Sequence, residues 1–169
     1  REMRAANRVL RSGWVSQGPG VAAFEQEVCD FLGLPDGHAV ALSSGTAALF
    51  MALWALEVQD RRVALPVYSC AALRNAVLMA GGVPMPVDIM RDTPNIDLSV
   101  AIDKQAELAI VAHMFGIPSI WESEQMNIPV IEDCAQALGA RINGHHVGLT
   151  GKVGILSFYA TKMLTTGGQ

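Results

Sequence analysis

Lys162 is the only amine in the run Ile155 to Gly168 (ILSFYATKMLTTGG), set among Thr161, Thr165, Thr166 and two glycines. An apolar, β-branched and aromatic stretch gives way here to a tight polar loop, which places the amine at the mouth of a sheet. Partial burial lowers the pKa of an amine, and a lysine so placed can form a Schiff base with a carbonyl compound or an aldehyde cofactor. A solvated lysine that merely ends a strand fits the same residues. Asp133 closes another apolar run, Val130-Ile131-Glu132-Asp133. It is either a simple N-cap or the partner of a cation, since a carboxylate against an apolar strand is costly unpaired. Ser44-Gly45-Thr46 stands where a third apolar run turns into a helix. Free N–H groups and the helix dipole favour a phosphate there, although Ser and Thr are also ordinary N-caps.

An amine at one strand end, an acid at another and a phosphate cradle at a third are what pyridoxal phosphate (PLP) requires. Its aldehyde takes a lysine, its ring nitrogen draws electrons only while protonated, and a carboxylate keeps it so. No single element is specific; their order and setting are.

The elements that must position these groups follow from periodicity. Arg1 to Arg11 and Val21 to Leu32 are expected helices, separated by the loop Gly13 to Gly20 and ended by Gly13 and Gly33. Trp14 and Gln17 of that loop are within reach of a ligand, or Trp14 staples the two helices. Apolar runs at Ala39–Leu42, Arg62–Leu65, Val83–Ile89, Leu108–Ala112 and Val130–Ile131 are expected strands, with a last one before Lys162. Helices are expected over Ala47–Val58 and Ala71–Ala80. The pattern is that of an α/β domain with a mostly parallel sheet flanked by helices. In such sheets ligands bind beyond the carboxyl ends of the strands. Tyr68, Ser69 and Cys70 fall there, as do His113 to Gly116, Glu132 to Gln136, and Ser157, which is otherwise only a strand residue.

Composition fits this reading. A chain of 169 residues, 51% apolar, is long enough for one domain with a sizeable core. A net charge of −4 gives no basic footprint for nucleic acid or an anionic membrane. Cys29, Cys70 and Cys134 are too few and scattered for a disulfide framework or a metal site, which fits a reducing cytoplasm. No signal peptide or membrane span is visible.

The segments SSGTAAL (Ser43 to Leu49), HMFG (His113 to Gly116), VIEDCAQALGA (Val130 to Ala140) and GHHVG…GILSFYATKMLTTGG (Gly144 to Gly168) resemble the DegT/StrS-type sugar aminotransferases, PLP enzymes of fold type I. SGWVSQGP (Ser12 to Pro19) and FEQEVCDFLG (Phe24 to Gly33) are similar to that family's N-terminal region. The resemblance implies the N-terminal part of the fold type I large domain over residues 1–169. It implies a cytoplasmic homodimer that moves an amino group, with glutamate the expected donor, onto a nucleotide-linked keto-sugar in polysaccharide, cell-surface or antibiotic sugar biosynthesis.

The same resemblance assigns roles by position. Lys162 matches the Schiff-base lysine and proton shuttle, and Asp133 the partner of the pyridinium nitrogen. Gln136 matches a side chain near the cofactor's phenolic oxygen, or it is a helix-cap glutamine. Gly45 and Thr46 match the phosphate cradle, and Ser157 a hydroxyl donor to the same phosphate. Cys70 occupies the position where many members stack an aromatic ring on the cofactor; a thiol stacks more weakly, and Tyr68 replaces that ring only if its loop shifts. Cys70 and Cys134 otherwise read as ordinary buried thiols, and His113 as a satisfied structural histidine or a ligand contact.

Three further expectations complete the reading. The chain starts at Arg1 and stops at Gln169 as if cut, so the family's small C-terminal domain and a remaining antiparallel strand are expected outside it. That strand would lie beside Ala39–Leu42, whose backbone is then an exposed edge. The chain alone is expected to bind PLP weakly and turn over poorly. A lysine rather than a histidine at position 162 argues against the family's sugar dehydratases, and the absence of G-x-G-x-x-G after the first strand argues against a Rossmann module. A non-catalytic PLP-binding relative is the remaining alternative.

Overall fold

A computed structural model describes residues 2–121 and 126–166; Arg1 and the expected Gly167-Gly168 turn lie outside the described residues. The chain forms two compact units, Arg1–Leu42 and Ser43–Gln169.

The first unit contains helices α1 (Glu2–Ser12) and α2 (Pro19–Leu32). Pro19 opens α2, where a missing N–H costs nothing, and Gly33 ends it at φ 70°. The Trp14 indole lies over Gly18, so closely that a Cβ there would be 2.8 Å from Trp14 Cδ1. Trp14 thus covers Gly18 within its own loop and is otherwise 60% exposed. Ala39–Leu42, expected as the first strand, is extended but joins no sheet among the described residues. A strand exists by its ladder, and this run has no partner. A hydrogen bond within the unit runs from Ala41 N–H to Glu25 Oε1 at 2.7 Å, and Val40 is 74% exposed.

The second unit is a doubly wound α/β layer structure. Its elements are α3 (Gly45–Ala55), β1 (Arg62–Pro66), α4 (Ala71–Met79), β2 (Val83–Val87), α5 (Leu98–Asp103), β3 (Leu108–Ala112) and β4 (Val130–Asp133). A hairpin of β5 (Arg141–Ile142) and β6 (His145–His146) follows, then β7 (Val153–Ile155). Five strands form one sheet in the order β2-β1-β3-β4-β7, with every pairing parallel. The separate β5-β6 hairpin is antiparallel, as is an isolated bridge between Ile89 and Ile96.

Alternation along the strands divides the core in two. Val63, Leu65, Leu108, Ile110 and Ile131 face α3 and α4, while Ala64, Ala109, Val111 and Val130 pack with Ala101 of α5. At the edge, β2 carries Pro84 and Pro86. Val83 N–H donates to Arg61 C=O and Val67 N–H to Val87 C=O, so residues 83 and 87 face β1 and the two prolines between them face outward. An edge strand is where a missing donor is tolerated. Among the described residues no helix is long and apolar enough to cross a membrane.

The strand order reverses at β1. The chain leaves β1 outward to β2 and returns on the other side as β3, which opens a crevice at the carboxyl ends of β1 and β3.

Candidate active site

The groups expected to do chemistry converge at those carboxyl ends. A cleft of about 230 Å³ is lined by Gly45, Thr46, Cys70, Asp133, Ser157 and Lys162, among others. A recess of about 60 Å³ is shared by Cys70, His113, Asp133, Gln136 and Lys162. Every residue singled out for the cofactor therefore lines one of the two spaces, and Cys70, Asp133 and Lys162 line both.

Each is delivered by a local feature. The strand before Lys162 is shorter than expected, since β7 ends at Ile155. Residues 156–159 continue without a ladder into a turn in which Lys162 N–H donates to Tyr159 C=O at 2.9 Å. The lysine is half-buried at the end of this excursion.

Gly45 and Thr46 are the first residues of α3, which Ser44 caps by accepting from Ala47 N–H at 3.1 Å. That cap satisfies the third donor of the helix and leaves the Gly45 and Thr46 N–H groups with no acceptor among the described residues. Ser157 faces them: a Cβ on Gly45 would lie 3.5 Å from Ser157 Oγ. Two unpaired donors and a hydroxyl around one point suit a phosphate.

Asp133 ends β4, and its Oδ1 accepts from Ala135 N–H at 2.9 Å. Burial pushes its carboxyl above the ordinary aspartate value, while the Ala135 N–H and the Lys162 charge pull the other way without prevailing. A carboxylate whose charge is penalised by its surroundings is matched to an arriving cation. The residues present thus fit PLP: a cradle for its phosphate, an amine for its aldehyde and an acid for its ring nitrogen.

Gln136 lies in a turn, so the helix-cap reading fails. Its Oε1 accepts from Phe115 N–H at 3.0 Å. With the oxygen so engaged, the amide nitrogen is the end left to donate. Cys70 is exposed, not a buried thiol, and precedes α4 as its N-cap residue. Tyr68 lines neither space; its ring sits 6.2 Å from that of Phe115, so it does not stand in for the ring missing at position 70. Cys134 is buried, and burial pushes its thiol far above the ordinary range, so it is inert.

The ambiguity at His113 resolves in favour of structure. Ser119 N–H donates to its Nδ1 at 3.0 Å, and a backbone N–H can only donate, so the proton resides on Nε2. Nε2 in turn donates to Glu132 Oε2 at 3.0 Å. Both ring nitrogens are spent and the side chain is buried on the α5 side of the sheet.

Glu132 falls among the strand-end residues expected near a ligand, but the sequence assigned it no role. It is fully buried, and its carboxylate also accepts from Gly148 N–H at 2.9 Å, Thr150 N–H at 2.7 Å and Gly151 N–H at 2.6 Å. Glycine makes the approach possible: a Cβ on Gly151 would lie 2.6 Å from Val130 O, and one on Gly154 would run into the Gly148 carbonyl oxygen. The spacing Gly148-x-x-Gly151-x-x-Gly154 beside an acidic strand end was the available signal. Tyr159, which also lines the larger cleft, was missed with less to point to it.

The model of the DegT/DnrJ/EryC1/StrS aminotransferase family matches residues 1–168. The chain belongs to this family. Solved structures agree with the fold over almost the whole chain. An aminotransferase from Psychrobacter cryohalolentis superposes with a TM-score of 0.86 at 30% identity, over 99% of this chain and 45% of that one. PseC from Helicobacter pylori, an aminotransferase involved in the biosynthesis of pseudoaminic acid, gives 0.86 at 25% identity, over 99% and 47%. The PLP form of Spr1654 from Streptococcus pneumoniae gives 0.85 at 26% identity, over 97% and 47%. The chain thus spans about half the length of these proteins. As in the other family members, the mostly parallel sheet flanked by helices is the N-terminal half of an aminotransferase fold.

Proposed function

We propose that the protein to which this chain belongs is a PLP-dependent sugar aminotransferase, and that residues 1–169 form part of its PLP-binding large domain. The observation that carries this is the convergence of Lys162, Asp133 and the unpaired N–H groups of α3 on one cleft. The neighbours support it: Spr1654 is described as a sugar aminotransferase in PLP and PMP forms, and PseC as an aminotransferase involved in the biosynthesis of pseudoaminic acid.

When bound, PLP supplies an aldehyde for covalent attachment and a ring that takes up the electrons released at a substrate carbon. The chain's own residues do the rest. Gly45 N–H, Thr46 N–H and Ser157 Oγ hold the phosphate. Asp133 keeps a proton on the ring nitrogen, a cation whose charge offsets the burial that its neighbours only partly compensate. The Gln136 amide nitrogen donates toward the phenolic oxygen. Lys162 Nζ takes the proton from the α-carbon of the amino donor and returns one to the acceptor. Cys70 packs against the ring face with a thiol where an aromatic is common. Glutamate as donor, a nucleotide-linked keto-sugar as acceptor, a homodimeric assembly and a cytoplasmic location complete the proposal.

The test is an absorbance spectrum of the purified chain with PLP, beside Lys162→Ala, followed by borohydride reduction and peptide mapping. A visible band that vanishes in the variant, with pyridoxyl fixed on Lys162, supports the reading. A folded chain that forms no such band shows that residues 1–169 do not hold the cofactor alone, and the same result with the full-length protein overturns the reading.

A further inference from the structure

Phe115 adopts φ 56° and ψ 25°, a left-handed conformation that a bulky side chain takes at a cost. Its turn is clamped from three directions. Asn95, itself buried, accepts from Met114 N–H at 3.2 Å and donates from Nδ2 to Ile117 C=O at 3.1 Å. Gln136 Oε1 takes Phe115 N–H between them. Three side-chain hydrogen bonds thus over-determine a turn whose effect is to hold an aromatic ring out of the core, 62% exposed. Tyr68, 50% exposed, meets that ring at 6.2 Å and 53° between planes.

The pair bridges the crevice at the strand-order reversal, Tyr68 following β1 and Phe115 following β3. It also adjoins the site. Ser69 and Cys70, next along from Tyr68, line the recess, as do Met114 and Gln136 on either side of Phe115 in sequence and hydrogen bonding. Both rings stay exposed among the described residues, and strain maintained by a surrounding network is found where a ligand is met.

We propose that Tyr68 and Phe115 form a platform for the C–H face of the acceptor's sugar ring. This rests on the aminotransferase reading above and adds the residues that select the acceptor. An aromatic face is electronegative and attracts the slightly positive C–H hydrogens of a pyranose, while leaving its hydroxyls to water or polar groups. Position decides between the two flat parts of a sugar nucleotide. Gln136, which accepts from Phe115 N–H, and Cys70, two residues after Tyr68, share the recess with Lys162. A sugar held with its carbonyl carbon toward that recess would bring its own ring nearer the pair than the base, which is removed by a ribose and two phosphates.

The strain offers a clean variant. Phe115→Gly removes the ring at a backbone position that glycine prefers, so folding is not at risk. Tyr68→Leu removes the second ring and keeps apolar bulk. PLP loading is read first, by the visible band, and then titration calorimetry of the loaded chain is run with UDP-, GDP- and dTDP-linked hexoses, each beside its nucleoside diphosphate. The expected result is a sugar nucleotide that binds more tightly than its diphosphate, weakened roughly 3- to 10-fold by each variant with the diphosphate unchanged. The band is expected to be intact and the melting temperature of Phe115→Gly no lower than that of the parent. Unchanged sugar-nucleotide affinity in both variants overturns the platform, as does equal weakening of the diphosphate, or a loaded chain that binds no sugar nucleotide. Failure to load PLP, in the chain and in the full-length protein alike, overturns the aminotransferase reading itself and is seen before any sugar is added.

Discussion

Glu132 and Asp133 are consecutive at the end of β4, yet their carboxyls are displaced in opposite directions. Strand alternation sends them to opposite faces of the sheet. Burial acts to raise both. On the α5 side the His113 Nε2–H and the N–H groups of Gly151 and Gly148 outweigh it for Glu132, whose carboxyl falls below the ordinary glutamate value. On the cleft side Asp133 has too few donors, and burial prevails. One acid is satisfied and holds the frame; the other is unsatisfied and waits for a cation.

Glu132→Gln is expected to destabilise the chain by roughly 3 kcal/mol. Oε2 accepts from His113 and Gly148 and Oε1 from Thr150 and Gly151, so either placement of an amide sets an NH₂ against two donors. The sign with pH follows from the lowered value. Stabilisation by Glu132 is complete above the ordinary glutamate pKa and is lost as pH falls through the depressed one. Denaturant midpoints across acid pH should show this slope in the parent and not in the variant.

Asp133→Asn should act the other way on the cofactor-free chain. With a raised value, the carboxyl's contribution is most favourable below the ordinary aspartate pKa and is lost as pH climbs through the elevated one. At neutral pH the asparagine variant, which keeps an acceptor for Ala135 N–H, is expected to unfold at a modestly higher denaturant concentration. Its transamination should fall by about 100-fold or more, because nothing then holds the ring nitrogen's proton. An unchanged rate would remove Asp133 from the site.

Ser157→Ala is expected to weaken PLP about 10-fold with little change in stability. A hydrogen bond to a charged group is worth roughly 1.5–3 kcal/mol, and Ser157 is only half-buried. Equilibrium dialysis against PLP, beside a thermal melt, separates the two effects.

Cys70→Phe should tighten PLP by about 2- to 10-fold, since an offset aromatic contact adds roughly 0.5–1.5 kcal/mol. Cys70 is exposed and lines both spaces, so the larger side chain meets the cleft and not the core. A weaker affinity would show that the thiol lies off the ring face.

Gly151→Ala is expected to cost roughly 1–3 kcal/mol, because the new methyl meets the Val130 carbonyl oxygen, which is backbone and cannot turn aside. The comparison with Gly45→Ala is instructive. There the nearest atom is 3.4 Å away, an ordinary contact, so the melting temperature should hold.

The placement of the site residues was legible because their chemistry is carried by residue type and by position after apolar runs. Asp133 needed only the rule that parallel strands end on one side, Gly45-Thr46 the signature of a helix N-terminus, and Lys162 its place in the polar loop after an apolar run. What escaped had other causes. Ala39–Leu42 has the composition of a strand, but composition does not supply a partner, and the run pairs with nothing among the described residues. Helix α5 has six residues, too few to show a period, and its start rests on Asp97 accepting from Ser99 N–H at 3.1 Å. The β5-β6 hairpin was readable in principle, since Asn143 and Gly144 take φ 50° and 84° as a two-residue turn demands. Glu132 was hidden by its neighbour: a buried acid serving four donors looks, in sequence, like one more polar residue at a strand end.

The two prolines of β2 bear on how the protein behaves in a crowded solution. Facing away from β1, they leave successive outward positions of that edge with carbonyls and no N–H. A strand from another molecule laid along it would find acceptors without donors and two rings in its path, so half of each ladder repeat could not close. This margin of the sheet is thereby closed to aggregation by chemistry, with no covering element required.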